Sequence, residues 1–176
     1  MSRFAPGIRV SRYMPTSEAV LSEPLILKPG ETRGAGALQI PGVQIWIKLS
    51  GADTNGNYAI METVTEPHSG PPLHRHNREE ESFYVLDGDF VFEVDGKRIP
   101  AAPGSSVFVP RGTAHAFRNI GNSAGRMLVT VQPAGLDNFF TEIANCASGQ
   151  EEPTMSQVIP IARRHGLELL GLPLDD

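Results

Sequence analysis

Three imidazoles and one carboxylate carry most of the chemistry that this sequence can offer: His74, His76, His115 and Glu81. Side chains two residues apart on a strand point the same way, roughly 7 Å apart along it, so His74 and His76 can converge on one point. Glu81 opens the next extended run and is in phase with Phe83 and Val85, which should face inward. His115 begins a run after the turn Pro110-Arg-Gly112 and shares its face with Phe117. A charged Glu on an apolar, inward row is costly unless it is paired or bound to a metal. Imidazole and carboxylate donors together suit Fe(II), Mn(II), Ni(II), Co(II), Cu(II) or Zn(II). No thiolate accompanies them, which disfavours a soft-metal site and a closed, cysteine-built structural zinc site. Such a centre keeps positions open for water, dioxygen or a small bidentate substrate.

The elements that must position these side chains are mostly short strands. Val43, Ile45, Ile47 and Leu49 alternate with Gln44, Trp46 and Lys48, which is the period of a strand. Residues 51–56 read as a loop and 57–65 as a second strand, followed by the Pro-rich run 66–72. Further strands are expected at 81–86, closed by Asp87-Gly88, then at 90–94, 97–100, 107–109, 115–119 and 127–131. Strands at such spacing, separated by turn residues, imply an all-β antiparallel sandwich or barrel. Residues 1–36 read as an N-terminal arm, because Pro6, Pro15, Pro24 and Pro29 would break a long helix, though Pro24-Leu-Ile-Leu could pair as an edge strand. Residues 37–135 form the β-barrel. Residues 136–176 read as a C-terminal helical segment, with helices over 136–144 and 154–165 and Gly166 as a C-cap.

The 176 residues fit one domain, 40% hydrophobic and 20% charged, with Gly (18) and Pro (15) abundant. A net charge of -5 without a basic stripe argues against a nucleic-acid partner, and no helix-turn-helix is evident. A single cysteine, Cys146, excludes an intrachain disulfide and fits a reducing compartment. The first twenty residues lack an apolar core segment, and no run approaches ~18 apolar residues. A cytoplasmic protein without a membrane span is the expectation. His165, in the last turn of the second helix, is read as favouring the helix dipole, without a functional role.

At this point the sequence resembles the cupin superfamily. That family's first motif, G-x5-H-x-H-x3,4-E-x6-G, is matched by His74, His76, Glu81 and Gly88. The second, G-x5-P-x-G-x2-H-x3-N, is matched by Gly104, Pro110, Gly112, His115 and Asn119. One position departs: His68 stands where the first motif opens on Gly, with Gly70 displaced closer. Within the run Glu79-Glu-Glu81, only Glu81 leaves six residues before Gly88 and keeps phase with Phe83, so Glu79 and Glu80 are read as a solvated pair. Gly88, Gly104 and Gly112 are read as turn residues and Asn119 as a local backbone partner. Phe83, Phe90, Phe92, Phe108, Phe117, Met127 and Trp46 are read as core or packing residues.

The resemblance implies a cupin-type antiparallel β-barrel, or jelly roll, with His74, His76, Glu81 and His115 as metal ligands. The tail is similar to that of single-domain bacterial cupins of the quercetinase-like kind. This implies a metal-dependent dioxygenase acting with dioxygen on a small enolic or phenolic, flavonol-like substrate, with Glu81 as ligand and general base. Another metal-dependent enzyme of isomerase or decarboxylase type, or a non-catalytic small-ligand binder, uses the same scaffold. A homodimer is expected from the sheet edges and the N-terminal arm. Metal-binding histidines must be neutral, so metal affinity is expected to fall below about pH 6.

Overall fold

The computed structural model describes residues 23–34, 36–146 and 153–175. Two antiparallel sheets face each other. The first contains β1 (Leu38–Ile40), β2 (Val43–Leu49), β3 (Ala59–Thr65), β10 (Gly125–Gln132), β5 (Glu80–Asp87) and β8 (Ser106–Val109), in that spatial order. The second contains β11 (Leu167–Pro173), β4 (Pro72–His76), β9 (His115–Asn119), β6 (Phe90–Val94) and β7 (Lys97–Ala101). Non-consecutive strands are neighbours at β3–β10–β5–β8 and at β11–β4–β9–β6, the crossovers of a jelly-roll arrangement. Two helices, α1 (Leu136–Cys146) and α2 (Met155–Arg164), follow β10.

Period-2 alternation accounts for the sheets. β3 buries Ala59, Met61, Thr63 and Thr65, and β10 buries Met127, Val129 and Val131 from the same face. β5 buries Glu81, Phe83 and Val85. From the opposite sheet come Phe90 and Phe92 on β6 and Phe117 on β9. The rings of Phe83 and Phe92 lie edge-on at 5.0 Å, and those of Phe83 and Phe117 at 5.7 Å, geometries favoured by the aromatic quadrupole. Phe108 is not a core residue, contrary to expectation. Val107 and Val109 take the inner side of β8, so parity turns Phe108 outward at 57% exposure.

Two departures lie at the ends. Residues 1–22 of the arm fall outside the described residues. Pro24–Leu27 forms no strand, although the arm is tied down further on by the fork of Arg33 on the Asp53 carboxylate (3.0 and 2.7 Å). The C-terminal segment has its two helices but does not end as helix. Gly166, at φ +80, reverses the chain into β11, which pairs with β4 in the register Leu167↔His76 and Leu169↔His74. Without β11, β4 would be a sheet edge with unpaired backbone. His165 does more than complement a dipole: its Nε2 lies 2.8 Å from Glu142 Oε2, joining α2 to α1.

Candidate metal centre

The four residues singled out by the sequence meet between the sheets. His74 and His76 come from β4 and His115 from β9, directly across from His74 in the pairing register. Glu81 reaches in from β5, in the opposite sheet. All four are buried, and each offers a ligand atom within 4.8 Å of the others. Glu81 Oε2 lies 3.2 Å from His76 Nε2 and 3.1 Å from His115 Nε2. The Phe83 ring, 6.2 Å from that of His115, begins the apolar layer beside the cluster.

Each imidazole has its other nitrogen turned away. His74 Nδ1 is 2.8 Å from the Pro72 carbonyl, and His115 Nδ1 is 3.1 Å from the Thr113 carbonyl. A backbone carbonyl only accepts, so Nδ1–H is the donor in both contacts, the form in which either ring would bind an ion through Nε2. The same two-residue offset serves both, a local device built from strand geometry. His76 has no such carbonyl. Its Nδ1 instead faces Glu79 Oε2 at 3.6 Å. Glu79 is therefore not part of a solvated pair: it is only 4% exposed, while Glu80 is partly exposed. It lies two residues before Glu81, so an extended backbone puts both carboxylates on one face, and the i, i+2 rule was the available signal.

Burial and mutual charge set the protonation of the cluster. For His74, burial and the neighbouring His115 and His76 push the pKa down to about 3. Burial also disfavours charge on His76, but the Glu81 carboxylate outweighs it, with help from Glu79, and the pKa rises to about 9. Burial disfavours the Glu81 anion, yet His76 and the contact with His115 hold its carboxyl well below the usual carboxylate range. Without an ion, then, one proton sits on His76 against Glu81. A cation entering the cluster would have to displace this proton, which opposes binding more strongly as pH falls.

The turns behave as their residue types require. Gly112 takes φ +80, and its N–H donates to the His76 carbonyl at 2.7 Å, coupling the two motifs through backbone. His68, at the position where the first motif opens on Gly, adopts the left-handed conformation with φ +57, which His tolerates better than most residues. Gly70 meets a different demand, since a Cβ there would sit 1.9 Å from the Phe117 carbonyl oxygen. Asn119 is a backbone partner. Its Nδ2 donates to the carbonyls of Thr65 (2.9 Å) and Ser123 (2.8 Å), and its Oδ1 accepts from the Gly121 N–H.

Comparison with known proteins agrees with this geometry. Residues 61–131 match the cupin domain family. Over this region the chain is similar to the cupin domain, in line with its two-sheet fold. Among relatives, quercetin 2,3-dioxygenase of Bacillus subtilis is 25% identical over 141 residues, 80% of this chain and 40% of that protein. An oxalate-binding protein of Thermotoga maritima is 35% identical over 65 residues, 37% of this chain and 54% of that protein. The chain thus spans about half the length of these curated relatives. An RmlC-like cupin from Shewanella frigidimarina shares the fold, with a TM-score of 0.55 at 21% identity over 66% of this chain and 96% of that one. No helix among the described residues is long and apolar enough to cross a membrane.

Proposed function

We propose that the chain is a metal-dependent dioxygenase acting on a small enolic or phenolic substrate of flavonol type. One observation carries the metal: four buried ligand atoms of hard and borderline type within 4.8 Å of one another, two of the three rings with Nδ1 already committed to backbone. His74, His76, His115 and Glu81 would hold the ion. When bound, it would supply Lewis acidity and a place for substrate and dioxygen to meet. The distant similarity to quercetin 2,3-dioxygenase over 80% of the chain supports the choice of reaction.

The chain's own residues have distinct tasks. His74 and His115, fixed by their i−2 carbonyls, keep the donor geometry rigid. The phenyl rings of Phe83, Phe92 and Phe117 keep water away from one side of the cluster. Glu81 is the proton acceptor, since among the described residues its Oε2 is the carboxylate oxygen directed at the His76 and His115 Nε2 atoms. Its strong preference for the anion means that it takes a proton only as its contacts with these neighbours loosen. Chain loaded with Fe(II), Mn(II), Co(II) or Ni(II) is expected to consume dioxygen when given quercetin, and Glu81→Gln to lose this activity while staying folded. No turnover with any of the four ions would remove this substrate class.

A second reading has its own support. The 35% identity to an oxalate-binding protein over 65 residues supports a cupin that binds a small carboxylate. Retention of oxalate through dialysis, with no product formed under air, would select that reading.

A further inference from the structure

Glu79 and His76 form an unusual pair. Glu79 Oε2 and His76 Nδ1 face each other at 3.6 Å, beyond hydrogen-bond distance. Both atoms are buried, and neither has another hydrogen-bond partner. A buried carboxylate oxygen left in this state is costly, so it is retained only where something offsets the cost. His76 is also the one ring of the three whose Nδ1 has no backbone carbonyl to hold it.

The protein makes room for this carboxylate. Gly135, just before α1, lies against it: a Cβ there would come within 2.8 Å of Glu79 Oε1. Gly135 is itself anchored, its N–H donating to Asp137 Oδ1 and its carbonyl accepting from the Phe139 N–H in the first turn of α1. Asp137 Oδ2 in turn accepts from the Gly51 N–H at 2.8 Å. The C-terminal segment thereby forms one wall of the Glu79 site, beside the open first turn of a helix, where negative charge is favoured.

We propose that Glu79 is a positioning residue for the metal centre: it accepts the Nδ1–H of His76 when His76 Nε2 binds the ion, and Gly135 exists to admit it. This rests on the metal-binding reading above. A closing movement of about half an ångström turns the 3.6 Å approach into a hydrogen bond of ordinary length. Binding through Nε2 leaves His76 with a single ring proton, on Nδ1, and Glu79 Oε2 is the acceptor facing that atom at 3.6 Å. A carboxylate behind the ring makes His76 a stronger donor than His74 or His115, which have only carbonyls behind them. The three imidazoles are consequently not equivalent ligands.

The test uses the full chain with Zn(II) as probe. Affinity is read by chelator competition, and ring tautomers by long-range proton–nitrogen correlation on histidine labelled with nitrogen-15. Wild type is expected to bind Zn(II) with His76 in the Nδ1–H form. Glu79→Ala should lower affinity on the order of 10–100-fold, the usual cost of losing such a partner, and shift the His76 nitrogen resonances while leaving those of His74 and His115 in place. Glu79→Gln, which keeps an acceptor oxygen and the side-chain volume, should recover part of the affinity. Gly135→Ala should weaken binding alone but add little to Glu79→Ala, because its effect passes through the carboxylate. Wild-type binding with unchanged affinity and unchanged His76 resonances in Glu79→Ala would overturn the proposal and leave the metal reading standing. A wild-type chain that takes up no Zn(II), Co(II) or Ni(II) would remove both.

Discussion

The two strands that carry the histidines solve the same problem in different ways. β9 lies inside its sheet between β4 and β6, and His115 is held by a carbonyl two residues back on its own chain. The second motif, from Gly104 to Asn119, contains nearly everything His115 needs. β4 depends on distant parts of the molecule. β11 pairs along it, the Asn77 N–H donates to the Gly166 carbonyl, and the Gly112 N–H donates to His76 itself. Behind His76 stands Glu79, with Gly135 against it. One motif is self-contained and the other is completed by a segment about ninety residues later. The candidate metal site accordingly draws on the C-terminal segment as well as on the cupin core.

Removing a ligand from either strand should have the largest effect and should erase the contrast. His76→Ala and His115→Ala are both expected to lower metal affinity by more than the 10–100-fold typical of an outer partner, as measured by elemental analysis after dialysis. Retention of full metal by either variant would show that its ring is not a ligand.

A next, smaller effect should separate the strands. Leu167 is buried at the start of β11, opposite His76 in register. Leu167→Ala is expected to destabilise the fold by about 2–5 kcal/mol in denaturant unfolding. Amide exchange should accelerate in β4 ahead of β9, because β11 shares its backbone ladder with β4 and not with β9. Equal acceleration in both strands would break the comparison.

The pH dependence sharpens it further. His76, at about 9, lies above its unfolded value near 6.5. In the metal-free chain it stabilises the fold fully below pH 6.5, and that contribution is lost as pH rises through about 9. Glu81 works the other way: its depressed value stabilises the fold above the unfolded carboxylate range and is lost as pH falls. His74, at about 3, stays neutral across this whole upper window. Between pH 6.5 and 9, metal-free Tm should therefore decline, while metal affinity should rise about tenfold per pH unit as the His76 proton is displaced. Affinity that stays flat from pH 7 to 9 would place that proton elsewhere.

The smallest effect belongs to the outer face of the sheet. Phe108→Ser is expected to change stability by no more than about 0.5 kcal/mol, since the ring is mostly exposed at the edge strand β8.

What the sequence made legible follows from which signals are local. Strand parity is local, so the inward row of β5 and the inward placement of His74, His76, Glu81 and His115 could be read residue by residue. Asn119 and the turn glycines could be read for the same reason. Phe108 was misplaced because its ring was weighed by type, while parity had already assigned the inner face of β8 to Val107 and Val109. Glu79 was obscured by its neighbours: in a run of three acids, solvation is the ordinary reading, and only the two-residue offset from Glu81 pointed inward. β11 gave no clear signal. Leu167-Glu-Leu-Leu-Gly-Leu-Pro173 has neither strict alternation nor a helical stripe, and its pairing with β4 is fixed by tertiary contact.

The most direct test of the central claim is metal stoichiometry. The purified chain, stripped with chelator, reloaded with Co(II) or Ni(II) and desalted, should hold one ion per chain by elemental analysis, and the single variants His74→Ala, His76→Ala, Glu81→Ala and His115→Ala should each fall well below that. A wild-type chain that retains no ion, or variants that load as fully as wild type, would contradict it.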